Sequence, residues 1–328
     1  MNIHATAAPL VELWRGERLE SLHLGHVVVA DTSGIVASFG DPTAVVYPRS
    51  SIKMIQALPL LMSGAGEGLS KRRLALACSS HNAAAIHNDE VSAWLDELGL
   101  TEADLRCGPQ PPRDRDVKWG MIRDHGTPCQ IHNNCSGKHT GFLMLNKHLG
   151  GDPEYLEINH PVQCMIRDVF EEVTQETSPG YGIDGCSAPN WAASMEGVAR
   201  AMAWYATAAQ RDDAMSKAAA RLIDAMTAHP DYVAGEGRAC TALMRAAPGV
   251  ALKTGAEGYF VGIIPSKGLG IALKIVDGTT RAAEAAISHV LIALGVLEPD
   301  AQSYVGAPIQ NWRGIETGDI RPSEEFKL

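Results

Sequence analysis

The chain has 328 residues, enough to bury a large core in one domain or in two closely joined ones. Hydrophobic residues make up 45% of it and charged residues 20%, as in ordinary soluble globular proteins. The formal net charge is −10, aromatic residues amount to 5%, and no basic run of five or more residues occurs, so neither nucleic acid nor an acidic membrane surface is an expected partner.

Strands are predicted at the beginning of the chain. The stretch "LVELWRGERLESLHLGHVVVADTSGIVASFGD" alternates in places between apolar and polar residues, and "DTSG" separates two β-branched runs as a hairpin turn does. The first forty residues are therefore expected to form a β meander.

Helical patterns follow. "HNDEVSAWLDELGL" is amphipathic, with Gly99 as a stop signal, and "PVQCMIRDVFEEVTQ" begins with a proline at a favoured first-turn position. Two alanine-rich stretches predict two more helices, "APNWAASMEGVARAMAWYATAAQ" and "RDDAMSKAAARLIDAMTAH".

Near the end of the chain, the spacing of apolar residues changes from a helical to a strand pattern. "EGYFVGIIPSKGLGIALKIVDG" predicts two apolar strands joined by a short turn, and "RAAEAAISHVLIALGVL" a final helix. Strands at both ends with helices between them predict an α+β fold, in which the terminal strands form one antiparallel sheet. We expect a single catalytic unit over residues 1–328, with sheet-forming segments at 10–50 and 250–298 and a mainly helical subdomain with active-site loops at 51–249.

The N-terminal sequence and the cysteines indicate the compartment. No basic segment followed by an apolar core of signal-peptide length is present, and apolar windows such as "HVLIALGVL" are too short to cross a bilayer. The seven cysteines are odd in number and dispersed, which is typical of reduced thiols. We therefore expect a cytoplasmic protein.

Five islands of polar and small residues stand out as candidate sites. They are "PRSSIK" at 48–53, "ACSSHN" at 77–82, "HNNCSGKHTG" at 132–141, "GIDGCSAPN" at 182–190 and "LKTGAEG" at 252–258. In the first, Ser50 and Lys53 would share one helix face, as a nucleophile and its base require. Serine is also a common helix cap, so for this pair alone an ordinary helix start is the preferred interpretation.

A second motif strengthens the catalytic interpretation. Lysine can act as a base only when neutral, and a neighbouring cation such as Lys253 favours the neutral form. An S-x-x-K followed much later by K-T-G marks class A β-lactamases and penicillin-binding proteins, and here Lys253-Thr254-Gly255 leads into a predicted hairpin. The S-D-N element of that set is absent, and Ser79 or Ser80 is the candidate for its role.

The cysteine islands allow two interpretations. Cys135 and Cys186, with His132 and His139 in the same islands, have ligand chemistry that suits zinc. Their spacing fits no standard zinc motif, however, and buried cysteines commonly pack as small hydrophobes. From the residues alone, packing is the favoured alternative.

Taken together, the islands resemble the rhizobial-type, or class 3, L-asparaginases. The resemblance runs from about Leu10 to Leu297, with the motifs in the family's order: "YPRSSIKMIQALPLL", "ACSSHN", "CGPQPP", "IHNNCSGKHTGFL", "GIDGCSAPNWA", "HPDYVAGEGRACTALM" and "KTGAEGYF". It implies a fold similar to that of serine β-lactamases and bacterial glutaminases, in agreement with the S-x-x-K and K-T-G motifs. It also implies a homodimer.

The resemblance further implies roles for individual residues. Ser50 matches the nucleophile and Lys53 its base, while Ser80 and Lys253 match a second serine–lysine tandem, with Ser79 as the alternative to Ser80. The implied zinc ligands, completed by water, are Cys135, Lys138 and Cys186. The implied substrate-binding residues are Arg49, His139 and Asp184.

The predicted function is hydrolysis of L-asparagine to L-aspartate and ammonia through a β-aspartyl ester on Ser50. Zinc would assist substrate binding, because serine–lysine chemistry itself needs no metal. The alternatives are a glutaminase or broader serine amidase, and a non-catalytic amino-acid- or zinc-binding protein on the same fold. Outside these roles, His81 is expected to be a cap or a satisfied hydrogen-bond partner, and His87 a surface residue.

Overall fold

The computed structural model of the chain describes residues 3–301 and 304–328. The strands, in chain order, are β1 (Ala8–Arg15), β2 (Arg18–Asp31), β3 (Gly34–Phe39), β4 (Val45–Val46), β5 (Tyr181–Ile183), β6 (Pro189–Trp191), β7 (Ala193–Ser194), β8 (Ala251–Thr254), β9 (Tyr259–Ile264), β10 (Leu269–Ile275), β11 (Pro308–Gln310) and β12 (Glu316–Pro322). The α-helices are α1 (Lys53–Gln56), α2 (Leu58–Met62), α3 (Lys71–Ala77), α4 (Ala85–Glu97), α5 (Arg115–Arg123), α6 (Ser136–Leu149), α7 (Pro161–Thr174), α8 (Met195–Ala206), α9 (Ala214–Ala228), α10 (Pro230–Val233), α11 (Ala239–Ala246) and α12 (Thr280–Ala293). Among the described residues, no helix has both the length and the apolar character needed to cross a membrane.

The chain forms two compact units. The first comprises the described residues of Met1–Ser51, Ala193–Thr207 and Ala242–Leu328. The second comprises Ile52–Ala192 and Ala208–Thr241.

The first unit is built on one antiparallel sheet with the strand order β11-β12-β1-β2-β10-β9-β8, in which β3 also pairs with β2. Val27, Val28 and Val29 of β2 are fully buried, so both faces of this strand are covered. Helix α8 packs against β2, β9 and β10, and α12 packs against β1, β9, β10 and β12. The terminal strands thus meet in one antiparallel sheet, which confirms the predicted α+β class.

A glycine allows α8 to lie close to the sheet. A Cβ atom at Gly270 of β10 would lie 2.1 Å from the backbone nitrogen of Ala203, a distance that no side chain could occupy. The helix therefore packs directly on the backbone of the central strand.

Two parts of the chain differ from the predictions. Strands β11 and β12 lie beyond the predicted sheet segments, and β12 pairs with β1 from Val11↔Pro322 to Arg15↔Gly318. The helix predicted over residues 188–210 is wrong at its beginning, since α8 begins at Met195 with Ser194 as its N-cap. The preceding residues form the short strands β6 and β7 instead.

The second unit is mainly helical, with α6 packed against α2, α3, α4 and α7. Helices α3 and α6 approach closely at Gly137, where a Cβ atom would lie 2.5 Å from Leu76 Cγ. The residues after α3 and those before α6 are joined by a hydrogen bond from His81 N–H to the Asn134 carbonyl at 3.1 Å. Two polar islands, at 77–82 and 132–141, are therefore brought together.

Candidate active site

Ser50 of the first unit lies in the short 3-10 helix Arg49–Ile52 and is half-buried. Its neighbour Ser51 is fully buried, and the Ser51 hydroxyl donates to the Pro48 carbonyl at 2.7 Å. Of the two serines, Ser50 therefore has the more accessible hydroxyl. Arg49, also half-buried, has a φ of 56°, a conformation uncommon for a residue with a side chain.

The K-T-G stretch belongs to the same unit as Ser50. Lys253 is fully buried on β8, and its Nζ donates to the Thr254 carbonyl at 2.8 Å. A Cβ atom at Gly255 would lie 2.6 Å from the Pro48 carbonyl oxygen, so only glycine allows this strand to come so close to the turn that carries Ser50. Within the first unit, the backbone at Gly255 is thereby adjacent to the turn that carries Ser50.

Lys53 opens α1 in the second unit, and only 1% of its surface is exposed. Its Nζ lies 3.0 Å from Ser80 Oγ and 3.1 Å from Cys135 Sγ, and it donates to the Ser79 carbonyl. Ser79 thus contacts the lysine through its backbone, while Ser80 does so through its hydroxyl. Of the two serines left open by the sequence, Ser80 has the geometry for proton exchange with Lys53.

The three expected zinc ligands come together in the second unit. Cys135 directly precedes α6, and Lys138 is in the first turn of that helix, on the same face. Cys186 comes from the loop between β5 and β6, and its Sγ lies 3.0 Å from Lys138 Nζ. All three side chains are buried.

Charge couples the members of this cluster. A hydrogen bond from the Cys135 thiol, followed by the Lys138 ammonium group, holds the pKa of Cys186 well below the usual thiol range. The same hydrogen bond and burial raise the pKa of Cys135. Burial alone would lower the pKa of Lys138, but Cys186, Cys135 and Asp184 outweigh it and raise that pKa. Both shifts favour the charged forms, a thiolate at Cys186 and an ammonium at Lys138.

The donor set of this cluster fits zinc. Two sulfurs and one amine nitrogen converge in a buried position, and zinc accepts both sulfur and nitrogen ligands. In the described parts of the chain, no group of three or more His, Cys, Asp or Glu side chains is arranged to hold a metal. His132 lies outside the cluster, since its Nδ1 is 3.3 Å from Cys129 Sγ. A zinc site here would therefore depend on Lys138 as a ligand.

Asp184 lies in the tight turn that also carries Cys186. Its N–H donates to the Ala188 carbonyl at 2.9 Å, and its own carbonyl accepts the Ser187 N–H at 2.8 Å. Ser187 has a φ of 67°, so the turn is held in an uncommon backbone conformation. The half-buried carboxylate of Asp184 is thereby placed beside Lys138, whose positive charge it favours.

His139 is fully buried behind Lys138 on α6. Its Nδ1 lies 2.9 Å from the hydroxyl of Tyr155, which also accepts the Arg106 N–H at 2.9 Å. Burial, with Lys138 nearby, keeps the pKa of His139 well below the usual range, so the ring is neutral. Its Nε2 is buried and has no hydrogen-bond partner among the residues that the structure describes.

Two residues at the site were not identified from the sequence. Tyr155 orients His139, and Asn134 places its Oδ1 2.9 Å from Cys135 Sγ. Tyr155 lies in the unremarkable stretch "DPEYLEI", whereas Asn134 stands inside a polar island. The island composition could have identified Asn134, but no local signal could have identified Tyr155.

Solved structures of several proteins are similar to this one. The protein Mglu in its native form is 12% identical with a TM-score of 0.46, over 86% of this chain and 66% of Mglu. A Bacillus glutaminase is 14% identical with a TM-score of 0.47, over 84% of this chain and 92% of the glutaminase. A β-lactamase from Mycobacterium bovis is 11% identical with a TM-score of 0.37, over 83% of this chain and 95% of the β-lactamase.

The sequence family is clear. No curated protein sequence matches the chain significantly. The family described as L-asparaginase II matches residues 11–322, which include every residue of the candidate site. The chain therefore belongs to the L-asparaginase II family of amidohydrolases.

Proposed function

We propose that the protein is an L-asparaginase that converts L-asparagine and water to L-aspartate and ammonia. The observation that carries this proposal is the buried Lys53 Nζ, 3.0 Å from the hydroxyl of Ser80. A buried amine held beside a serine hydroxyl is the arrangement that serine–lysine proton transfer needs. The chain would act as one catalytic unit over residues 1–328.

In this mechanism Ser50 Oγ attacks the side-chain amide carbon of asparagine, and Lys53 accepts the proton of Ser50. The proton then passes to the amide nitrogen as the C–N bond breaks, so ammonia leaves and a β-aspartyl ester remains on Ser50. Water attacks the ester with Lys53 again accepting a proton, and aspartate is released. Ser80 and Lys253 would relay protons and keep Lys53 neutral.

Three side chains would orient the substrate. The carboxylate of Asp184 suits the α-ammonium group, and the guanidinium of Arg49 suits either the α-carboxylate or Asp184 itself. His139 Nε2, for which the described parts of the chain supply no hydrogen-bond partner, would offer a further hydrogen bond. Cys135, Lys138 and Cys186 would hold zinc, which when bound supplies a positive charge that assists substrate binding.

Ammonia release from L-asparagine and, separately, from L-glutamine tests the proposal. We expect wild type to hydrolyse asparagine and Ser50→Ala to be at least about a thousandfold slower, with folding preserved. Ser51→Ala is the matched control, because the Ser51 hydroxyl is committed to the Pro48 carbonyl. That control should retain turnover and lose about 1 kcal/mol of stability.

The alternatives predict different outcomes. A glutaminase or broader amidase would hydrolyse glutamine as well as or better than asparagine, since one methylene changes specificity by only about 1–3 kcal/mol. A binding protein would release ammonia from neither amide when folded and loaded with zinc. Full activity in Ser50→Ala would show that Ser50 is not the nucleophile. The homodimer and the cytoplasmic location remain predictions.

A further inference from the structure

The residue after Ser80 makes hydrogen bonds through both ring nitrogens. His81 is fully buried, and its Nδ1 accepts the Ala83 N–H at 3.1 Å. Nδ1 therefore carries no proton, and the neutral ring has its proton on Nε2. That nitrogen lies 3.0 Å from Ser136 Oγ, to which it donates.

These bonds connect the Ser80 loop to the start of α6. Ser136 follows Cys135 in sequence, and its hydroxyl in turn donates a hydrogen bond to the Ile131 carbonyl at 2.8 Å. The His81 N–H also donates to the Asn134 carbonyl at 3.1 Å. Side chain and backbone of His81 thus hold the same segment that carries Cys135.

The His81 ring is also clamped on one side by His87. The two rings are stacked, with centroids 4.8 Å apart and an interplanar angle of 9°. The prediction that His87 is a surface residue is wrong: it is fully buried, and its Nε2 lies 2.9 Å from the Asp231 carbonyl. Asp231 lies in α10, whose Val233 carbonyl accepts the Ser80 N–H at 2.9 Å.

The loop that His81 closes is strained. Ala83 is buried with a φ of 61°, a conformation that costs a residue with a Cβ on the order of 1 kcal/mol. Its N–H is the group that His81 Nδ1 accepts. A strained backbone conformation persists only where surrounding contacts stabilise it, and the hydrogen bond to His81 is one of these contacts.

We infer that His81 is a positioning residue: its ring ties the Ser80 loop to the start of α6 and so keeps Ser80 Oγ within hydrogen-bond distance of Lys53. This inference rests on the proposed function. In this role His81 acts through Ser80 and not on the substrate itself. A shift of about 1 Å in a catalytic group can lower the rate about a hundredfold. Loss of the His81 hydrogen bonds is therefore expected to lower kcat.

His81→Asn tests the inference. The shorter side chain can still accept the Ala83 N–H, but it cannot reach Ser136. We expect kcat for ammonia release to fall about ten- to a hundredfold with KM changed less than about threefold. Ser136→Ala removes the same hydrogen bond from the other side and should lower kcat similarly. It therefore tests the bond even if His81→Asn does not fold.

A double-mutant cycle separates positioning from general destabilisation. In a Ser80→Ala background, His81→Asn should have almost no further effect on the residual rate, since the group it positions is gone. His160→Asn is the matched control: His160 is also buried, and its Nδ1 accepts the N–H two residues on, at Val162, at 3.1 Å. Its kcat should equal that of wild type.

Three outcomes overturn the inference: wild-type kcat in both His81→Asn and Ser136→Ala, additive effects of His81→Asn and Ser80→Ala, or an equal loss in His160→Asn. Failure of the proposed function looks different. In that case wild type itself releases no ammonia from asparagine, whereas failure of the positioning role leaves wild type active.

Discussion

Lys53 Nζ lies 3.1 Å from Cys135 Sγ, so the lysine proposed as the base also contacts a proposed metal ligand. Both side chains are buried, and water does not screen their interaction as it would at the surface. A change at the sulfur therefore acts directly on the amine. Binding of metal and amide hydrolysis are expected to be linked in this protein for that reason.

Zinc affinity should rise with pH. Both Cys135 and Lys138 have raised pKa values and carry protons at neutral pH, and a ligand must lose its proton before it binds metal. Calorimetric titration with zinc at pH 6.5 and pH 8.0, in two buffers of different ionisation enthalpy, should show tighter binding at pH 8.0 and proton release.

Cys186→Ser should weaken that binding by about a hundredfold or more, since it removes one of the proposed sulfur ligands. Cys129→Ser is the control, because Cys129 faces His132 and lies outside the cluster. Zinc affinity that does not change with pH, or that is unchanged in Cys186→Ser, would contradict the proposed ligands.

Gly255→Ala should impair both stability and turnover. The added Cβ atom would lie 2.6 Å from the Pro48 carbonyl and 3.2 Å from Ser51 N, so the strand or the Ser50 turn must move. We expect a loss of about 1–3 kcal/mol in the free energy of unfolding, measured by urea titration, and a lower kcat. Gly68→Ala should change neither, because apart from the two chain neighbours no described residue has an atom within 4 Å of the added Cβ. Equal behaviour of the two variants would rule out the close approach.

Tyr155→Phe should destabilise the protein and raise KM for asparagine. The missing hydroxyl leaves the Arg106 N–H and His139 Nδ1 without their partner in a buried position, which costs about 1–3 kcal/mol. His139 then loses the contact that orients its ring. Urea titration and initial-rate kinetics check both effects. An unchanged KM would show that the orientation of His139 does not matter for substrate binding.

Stability should fall as the pH drops from 6.5 towards 5. Burial lowers the pKa of five histidines, namely His26, His87, His132, His139 and His289. Below about pH 6.5 these histidines bind protons in the unfolded chain but not in the folded protein. Each histidine therefore lowers the free energy of unfolding by up to about 1.4 kcal/mol for each pH unit. Ordinary carboxylates titrate below this range.

Urea midpoints at pH 7.5, 6.5, 5.5 and 5.0 measure this slope. His26→Asn should make this slope shallower, because it removes one of the buried histidines. The fold should be kept, since the asparagine side-chain oxygen can still accept the Asp41 N–H that His26 Nδ1 accepts at 2.9 Å. A urea midpoint that does not change with pH over this range would contradict the lowered pKa values of these histidines.

The sequence predicted the parts of the fold whose signals are local. The hairpin of β9 and β10 has two apolar runs around a turn, and α7 begins at the predicted proline. Strand β12 was missed because "ETGDIRP" has no alternation of apolar and polar residues. The beginning of α8 was misplaced because Pro189–Trp191 pairs with β5, and this tertiary pairing overrides helix propensity.

The site shows the same limit. Ser50 and Lys53 could be proposed because their spacing is itself the motif. Ser80 was proposed through the family resemblance, with Ser79 as the alternative, and in the structure the Ser80 hydroxyl lies 3.0 Å from Lys53 Nζ. Lys138 and Cys186 meet only through folding, and their separation in sequence matches no zinc motif. His87 stands in the polar segment "HNDE" and is buried by Asp231 and His81, which come from other segments.

The partner of β2 comes from far along the chain. Val27 pairs with Leu273, and the whole sequence of the second unit lies between them. The entropy of closing such a loop must be overcome before this edge of β2 is covered, so the sheet is expected to form slowly. Until then "VVVA" is an apolar strand with a free edge, and such edges associate with other chains. Refolding yield should therefore fall as protein concentration rises.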